Sequence, residues 1–149
     1  MKHILIQLLL VMFIGSFLSV NCSAQNDNND KNNTEMSQSN KLAVLWTSAD
    51  KDVAEKMVYM YTYNAAKQEW WDEVVFIIWG PSSKLLSEDK DLQAYLKKMQ
   101  DVGIKLYACK ACADMYGVSE KLKTLGIEVK YMGEPLTNYL KTDYKVITF

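Results

Sequence analysis

The chain has 149 residues, 49% of them hydrophobic, and a formal net charge of −1. That length suits one domain rather than two. With 17 basic residues against 18 acidic ones, nothing draws the chain electrostatically toward nucleic acid or an anionic membrane. Every basic residue is a lysine, so the planar guanidinium fork used for bidentate phosphate or carboxylate recognition is missing.

The first segment reads as an address. Lys2 and His3 make a short basic start, and Ile4 to Leu18 is almost wholly apolar, broken by Gln7, Gly15 and Ser16. Small and polar residues follow. This is the plan of a secretory signal peptide, with an apolar core shorter than a membrane span needs; a retained membrane anchor is the competing reading. Cys22-Ser23-Ala24 fits the small-x-small rule, which places the leader at 1–24. Alternatively, Cys22 is the acylated cysteine of a bacterial lipoprotein, although Ser19-Val20-Asn21 makes a poor lipobox. The expected location is the periplasm, with membrane attachment only through a lipid on Cys22. Either cut removes His3, the sole histidine, and leaves Cys109 and Cys112 as the free thiols. Residues 25–40 hold one large apolar residue, Met36, and read as a disordered linker that cannot offset its ordering entropy.

From 41 to 149 two periodicities alternate. Leu42 to Trp46 is a continuous apolar run, expected to form a strand covered on both faces. Val53, Met57, Met60, Tyr61 and Asn64 then recur at helical spacing. Val74 to Trp79 is the second strand. Pro81, after Gly80, suits a first helical turn, and a longer helix over 88–102 carries Leu92, Tyr95, Leu96 and Met99. Ile104 to Cys109 is the third strand, followed by a helical stripe of Met115, Val118, Leu122 and Leu125. Ile127 to Met132, a short helix over 135–141, and Val146 to Phe149 complete the series. Gly103 and Gly126 stand where left-handed helix C-caps are expected. The order implies an α/β fold: a single-domain, three-layer α/β/α sandwich with a five-stranded, mostly parallel, doubly wound sheet.

In such sheets, sites form beyond the carboxyl ends of the strands. Three loops meet that rim: Thr47-Ser48-Ala49-Asp50, Gly80-Pro81-Ser82-Ser83 and Cys109-Lys110-Ala111-Cys112. Cys109 closes a strand and Cys112 falls in the first turn of the next helix, where free N–H groups and a partial positive charge favour thiolate. The thiol pKa is expected to fall, helped by Lys110. Four readings of the pair stand open: two small apolar packing residues, a disulfide in an exported protein, half of a zinc site that needs a second subunit for four ligands, or a reactive thiolate that carries sulfur. A thioredoxin-type dithiol fits badly, since its motif belongs near the start of the fold.

Other rim residues carry weaker signals. Ser82 and Ser83, at a helix start after Gly-Pro, either bind an anion through backbone N–H groups or are a plain helix cap. Asp50 either orients a thiol or water or caps the helix starting near Asp52. Ser48 and Thr47 have no histidine to activate them in the mature chain, which excludes a serine hydrolase. Tyr59, Tyr61, Tyr63, Trp70 and Trp71 read as core and oligomer interface. No P-loop or G-x-G-x-x-G is present, and no cofactor or metal is expected.

The segment Tyr107-Ala108-Cys109-Lys110-Ala111-Cys112-Ala113-Asp114-Met115-Tyr116-Gly117-Val118 resembles the cysteine segment of DsrE-like proteins, the group that includes the sulfur-relay subunits DsrE and TusD. Cys109 and the helical Gly117 match that family's spacing. Trp46-Thr47-Ser48-Ala49-Asp50, Ile78-Trp79-Gly80-Pro81-Ser82 and Gly126 to Gly133 resemble it too, in the same order along residues 41–149. The resemblance implies five parallel strands, assembly into trimers or hexamers, and a persulfide on Cys109. Relay subunits work in the cytoplasm, whereas this chain carries an export signal, and Cys112 has no counterpart in those subunits.

Two functions follow from this reading. In the first, Cys109 accepts a sulfane sulfur, Cys112 resolves it, and Ser48, Asp50, Gly80, Ser82 and Lys110 line the substrate site, with a sulfur donor or acceptor protein as partner. In the second, the chain is a non-catalytic homo-oligomeric binding module whose cysteines are structural.

Overall fold

In the computed structural model, which describes residues 40–149, the apolar runs become five strands of one sheet. They are β1 (Lys41–Trp46), β2 (Glu73–Ile78), β3 (Lys105–Cys109), β4 (Glu128–Lys130) and β5 (Tyr144–Thr148). Their spatial order is β4-β3-β2-β1-β5 and every pairing is parallel. Central strand β2 explains its own composition. Val74 to Ile78 are all buried, because helices cover a parallel sheet on both faces and no position is left for a polar residue. The leader, the linker and Cys22 lie outside the described residues. Among the described residues, no helix is long and apolar enough to cross a membrane.

Between β1 and β2, helix α1 (Lys51–Val53) passes through a π-helical stretch (Ala54–Tyr59) into α2 (Met60–Lys67). Helices α3 (Pro81–Glu88) and α4 (Lys90–Asp101) join β2 to β3, and α5 (Lys110–Met115) and α6 (Ser119–Thr124) join β3 to β4. Helix α7 (Gly133–Lys141) leads from β4 to β5. Right-handed crossovers fix the layers. The first three connections step the same way across the sheet, so their helices share one face. The last returns to the far side of β1, which puts α7 on the other face. The sandwich has three layers, as expected, but among the described residues one of them is a single helix.

Alternation along each strand divides the core between these faces. Leu42, Val44, Trp46, Phe76, Ile78 and Leu106 pack under the thick layer. There the Trp46 ring meets Tyr59 edge-on at 5.3 Å and stacks on Phe76 at 5.9 Å. On the α7 side, Ala43, Val75, Ile77, Cys109 and Met132 form a smaller cluster, closed over by Leu136 and Tyr139.

Two expected helical stripes differ. After β1 the buried residues are Ala54, Val58, Tyr59, Thr62 and Ala65, whereas Met57 and Met60 are 52% and 51% exposed. The π-helical stretch holds more residues per turn than an α-helix. It rotates the following residues away from the stripe that regular spacing defines. After β3, Gly117 sits at φ +67° between α5 and α6, and the break leaves Met115 87% exposed. The α4 stripe holds, with Leu92, Leu96 and Met99 buried. Gly103 and Gly126 adopt the expected positive φ, at +83° and +78°. Of the aromatic group, Tyr59 is buried and Tyr61, Tyr63 and Trp71 pack half-buried on the core, while Trp70 is exposed.

Candidate functional site

The strand order locates the crevice. Loops leaving β1, β2 and β3 run to the thick layer, and the loop leaving β4 runs to α7. Neighbouring strands whose connections depart to opposite faces open a cleft at their carboxyl ends. Here those neighbours are β3 and β4. Cys109, the last residue of β3, stands at that point, paired in register with Lys130 of β4.

Cys109 has extended backbone, φ −67° and ψ 110°, and precedes the first residue of α5. Strand alternation directs it to the α7 face, among Ile77, Met132 and Tyr107, and it is 4% exposed. Cys112, one turn into α5, packs half-buried against the same cluster. Both are free thiols and neighbour one another in that cluster. The Cys112 thiol also meets the backbone N–H of Gly80, brought across from the end of β2, and its own N–H. Gly80 has φ +67° and ψ −133°, a conformation open to glycine and costly for residues with a Cβ.

The expected fall in thiol pKa is reversed at Cys112. Burial pushes it up, and the Cys109 thiol pushes it further; the Gly80 N–H pulls it down without offsetting them. Helix α5 has only six residues, so its dipole is a weak opponent to desolvation. Lys110 is also diverted. Its ammonium pairs with Asp114 and lies 5.4 Å from the centre of the Tyr131 ring.

The remaining rim residues serve the scaffold. Ser82 is fully buried. Its hydroxyl donates to Trp46 O at 2.7 Å and accepts from Trp79 N–H at 3.1 Å, tying the end of β1 to the end of β2. Ser48 Oγ accepts from Asp50 N–H at 3.0 Å, and Asp50 Oδ1 accepts from Val53 N–H at 3.0 Å, capping α1. Asp50 is thus the helix cap expected of it, whereas Ser82 is not: α3 has no side-chain cap, and the Ser82 hydroxyl bonds strand ends instead. Of the predicted set, the fold brings together Cys109, Cys112 and Gly80. A cleft of about 240 Å³ lies against α3, lined by Ala49, Pro81, Lys84, Leu85, Glu88 and Tyr116; none of the three predicted residues lines it.

Lys130 went unmarked in the sequence. Its ammonium lies 3.9 Å from the centre of the Tyr107 ring and pairs with Glu128 at 3.0 Å, which puts an ion pair on the cysteine face of β4. Nothing in the local pattern distinguishes it from other strand lysines; only the pairing of β4 with β3 brings it beside Cys109. Among the described residues, no group of three or more His, Cys, Asp or Glu side chains is placed to hold a metal ion.

A model of the DsrE/DsrF-like family matches residues 32–149. Among curated proteins, the chain is 34% identical over 112 residues to the uncharacterized protein MJ0733 of Methanocaldococcus jannaschii, covering 70% of this chain and 90% of that one. Among solved structures, it resembles the conserved protein of unknown function BT1422 from Bacteroides thetaiotaomicron, with 39% identity and a TM-score of 0.73. That match covers 76% of this chain and 98% of the other. The ychN protein from E. coli shares the fold, with a TM-score of 0.56 at 18% identity, over 73% of this chain and 97% of that one.

Proposed function

The chain belongs to the DsrE/DsrF-like family, and on that premise we propose that its Cys109–Cys112 pair handles sulfane sulfur. The observation that carries this is two free thiols in mutual contact at the topological switch point, with the Gly80 N–H on the outer one. The Cys109 thiolate attacks the terminal sulfur of a persulfide or polysulfide; the donor S–S bond breaks and the donor leaves as a thiolate. Cys112, deprotonated in its turn, attacks the Cys109 sulfur. Sulfide departs, and a Cys109–Cys112 disulfide remains for an external thiol to reduce. The raised pKa of Cys112 suits this order, because a protonated partner does not attack before Cys109 is loaded. The 4% exposure of Cys109 favours a slender inorganic donor.

Mass spectrometry after polysulfide treatment tests it. Cys112→Ser, lacking the second nucleophile, should hold one extra sulfur on Cys109, and Cys109→Ser should hold none. Unreactive thiols in the folded protein would leave the alternative, a binding module with structural cysteines.

The proposal includes a homo-oligomer and an exported protein. Leu45, Trp79, Tyr107 and Val146 are half-buried on the sheet face that, among the described residues, α7 alone covers, and a second copy would bury them. Light scattering measures that directly. The intact mass of the protein from the cell envelope separates cleavage after Ala24 from lipid on Cys22.

A further inference from the structure

The described residues, 40–149, hold no histidine, so the soft ligands at the rim are sulfurs: the thiols of Cys109 and Cys112, with the Met132 thioether packed in the same cluster. A structural zinc site wants four ligands in a tetrahedron. Among the described residues no third His, Cys, Asp or Glu joins the pair. Two thiolates alone suit a different class of ion: a soft, monovalent, thiophilic one that accepts two sulfurs, as copper(I) does. We propose that Cys109 and Cys112 form a two-coordinate site for such an ion.

Three features support it. The two thiols pack in one cluster on the α7 face, three residues apart at the turn from β3 into α5, where two metal–sulfur bonds of about 2.3 Å each, the length zinc makes, can join them. The ion exchanges one positive charge for two protons, so the loaded site carries one net negative charge. The Gly80 and Cys112 N–H groups favour negative charge on the Cys112 sulfur, and Lys130, paired with Glu128, stands on the same face over Tyr107. Finally, Ile77, Met132 and Tyr107 surround Cys109 with apolar groups. They keep water and harder, oxygen-preferring ions from competing.

This site stands apart from the sulfur-transfer reading and is tested without polysulfide. The full chain carrying His3→Ala and Cys22→Ser, reduced and kept anaerobic, is titrated with copper(I) held by the chromophoric chelator bicinchoninate. One ion per chain should leave the chelator, and native mass spectrometry should show one copper and two fewer protons. Cys109→Ser and the half-exposed Cys112→Ala should each weaken binding by at least about 100-fold, since losing supporting contacts alone costs about 10–100-fold. Lys130→Gln, which leaves both thiols in place, should weaken it by about 10-fold. Zinc(II) at the same ratio should not be retained. Failure to withdraw copper(I), undiminished binding in either single-cysteine variant whose circular dichroism is native, or zinc held by four thiols across two chains would each overturn the proposal. A polysulfide adduct on Cys109 in the same preparation keeps the sulfur reading alive in any of those cases.

Discussion

Replacing Gly80 by alanine separates backbone strain from packing. A Cβ built at this position meets no atom within 4 Å, so no clash contributes. The cost comes from φ +67° and ψ −133°, a region that charges a residue with a Cβ about 1–3 kcal/mol. The stiffer unfolded chain offsets about 0.4–1 kcal/mol of this. Gly80→Ala should therefore destabilise by about 1–2 kcal/mol, which for a domain of this size lowers Tm by roughly 4–8 °C. Urea denaturation at fixed pH reads the first quantity. The second readout belongs to the site. The Gly80 N–H is among the contacts that pull the Cys112 pKa down, so relaxing the strained turn withdraws it and the thiol titrates higher still. Peptide-resolved alkylation by iodoacetamide across pH should show the Cys112 profile displaced to higher pH. Gly133→Ala is the control: Gly133 begins α7, without positive φ and in open space, and its replacement should be neutral or slightly stabilising. A Gly80→Ala protein as stable as the parent, with an unmoved alkylation profile, would refute both the strain and the contact.

Three further outcomes are expected. Tyr59 is fully buried and its hydroxyl has no partner among the described residues, so Tyr59→Phe should stabilise by up to about 1–3 kcal/mol; a loss of more than about 1 kcal/mol in the urea midpoint contradicts this. Asp89 pairs with Lys51 at 2.8 Å and caps α4 through the N–H groups of Asp91 and Leu92 at 2.9 and 3.0 Å; Lys51 first, then these groups, hold its carboxyl below the usual range. Its contribution is complete above the unfolded carboxylate's pKa of about 4 and lost as pH falls through the lower folded value. Asp89→Ala should thus cost about 1 kcal/mol at neutral pH, and the gap from the parent should close below about pH 4; a gap independent of pH counts against the assignment. Cys109→Ala removes one of the two causes that raise the Cys112 pKa, so Cys112 alkylation should shift to lower pH, and an unchanged profile would mean that the thiols do not interact.

The fold class was legible because burial on both faces leaves a mark on composition. A strand such as Val74 to Ile78 has no polar position, so its apolar run announces a covered parallel sheet. Helix boundaries were legible where one residue carries the signal, as at Gly103 and Gly126. Legibility failed where the backbone departs from regular geometry. The π-helical stretch over Ala54–Tyr59 rotates the buried stripe, and Met57 and Met60, chosen by ideal spacing, face solvent.

The site divides along the same line. The sequence by itself determined which chemistry is available: two thiols at the end of one strand, no histidine from residue 40 onward, and no arginine. It also put Gly80 and the cysteines on one rim, because strand ends in an α/β alternation must meet there. Strand order was beyond its reach, since the same alternation permits several orders and local periodicity records none of the pairings between distant segments. Tertiary structure decided that β3 and β4 flank the switch point, that Lys130 stands across from Cys109, and that Ser82 is spent on holding β1 to β2. It also reversed the expected direction of the Cys112 pKa. A helix N-terminus is a local feature visible in sequence, but the burial and the neighbouring thiol that outweigh it depend on how α5 and the β2 loop close over the sheet.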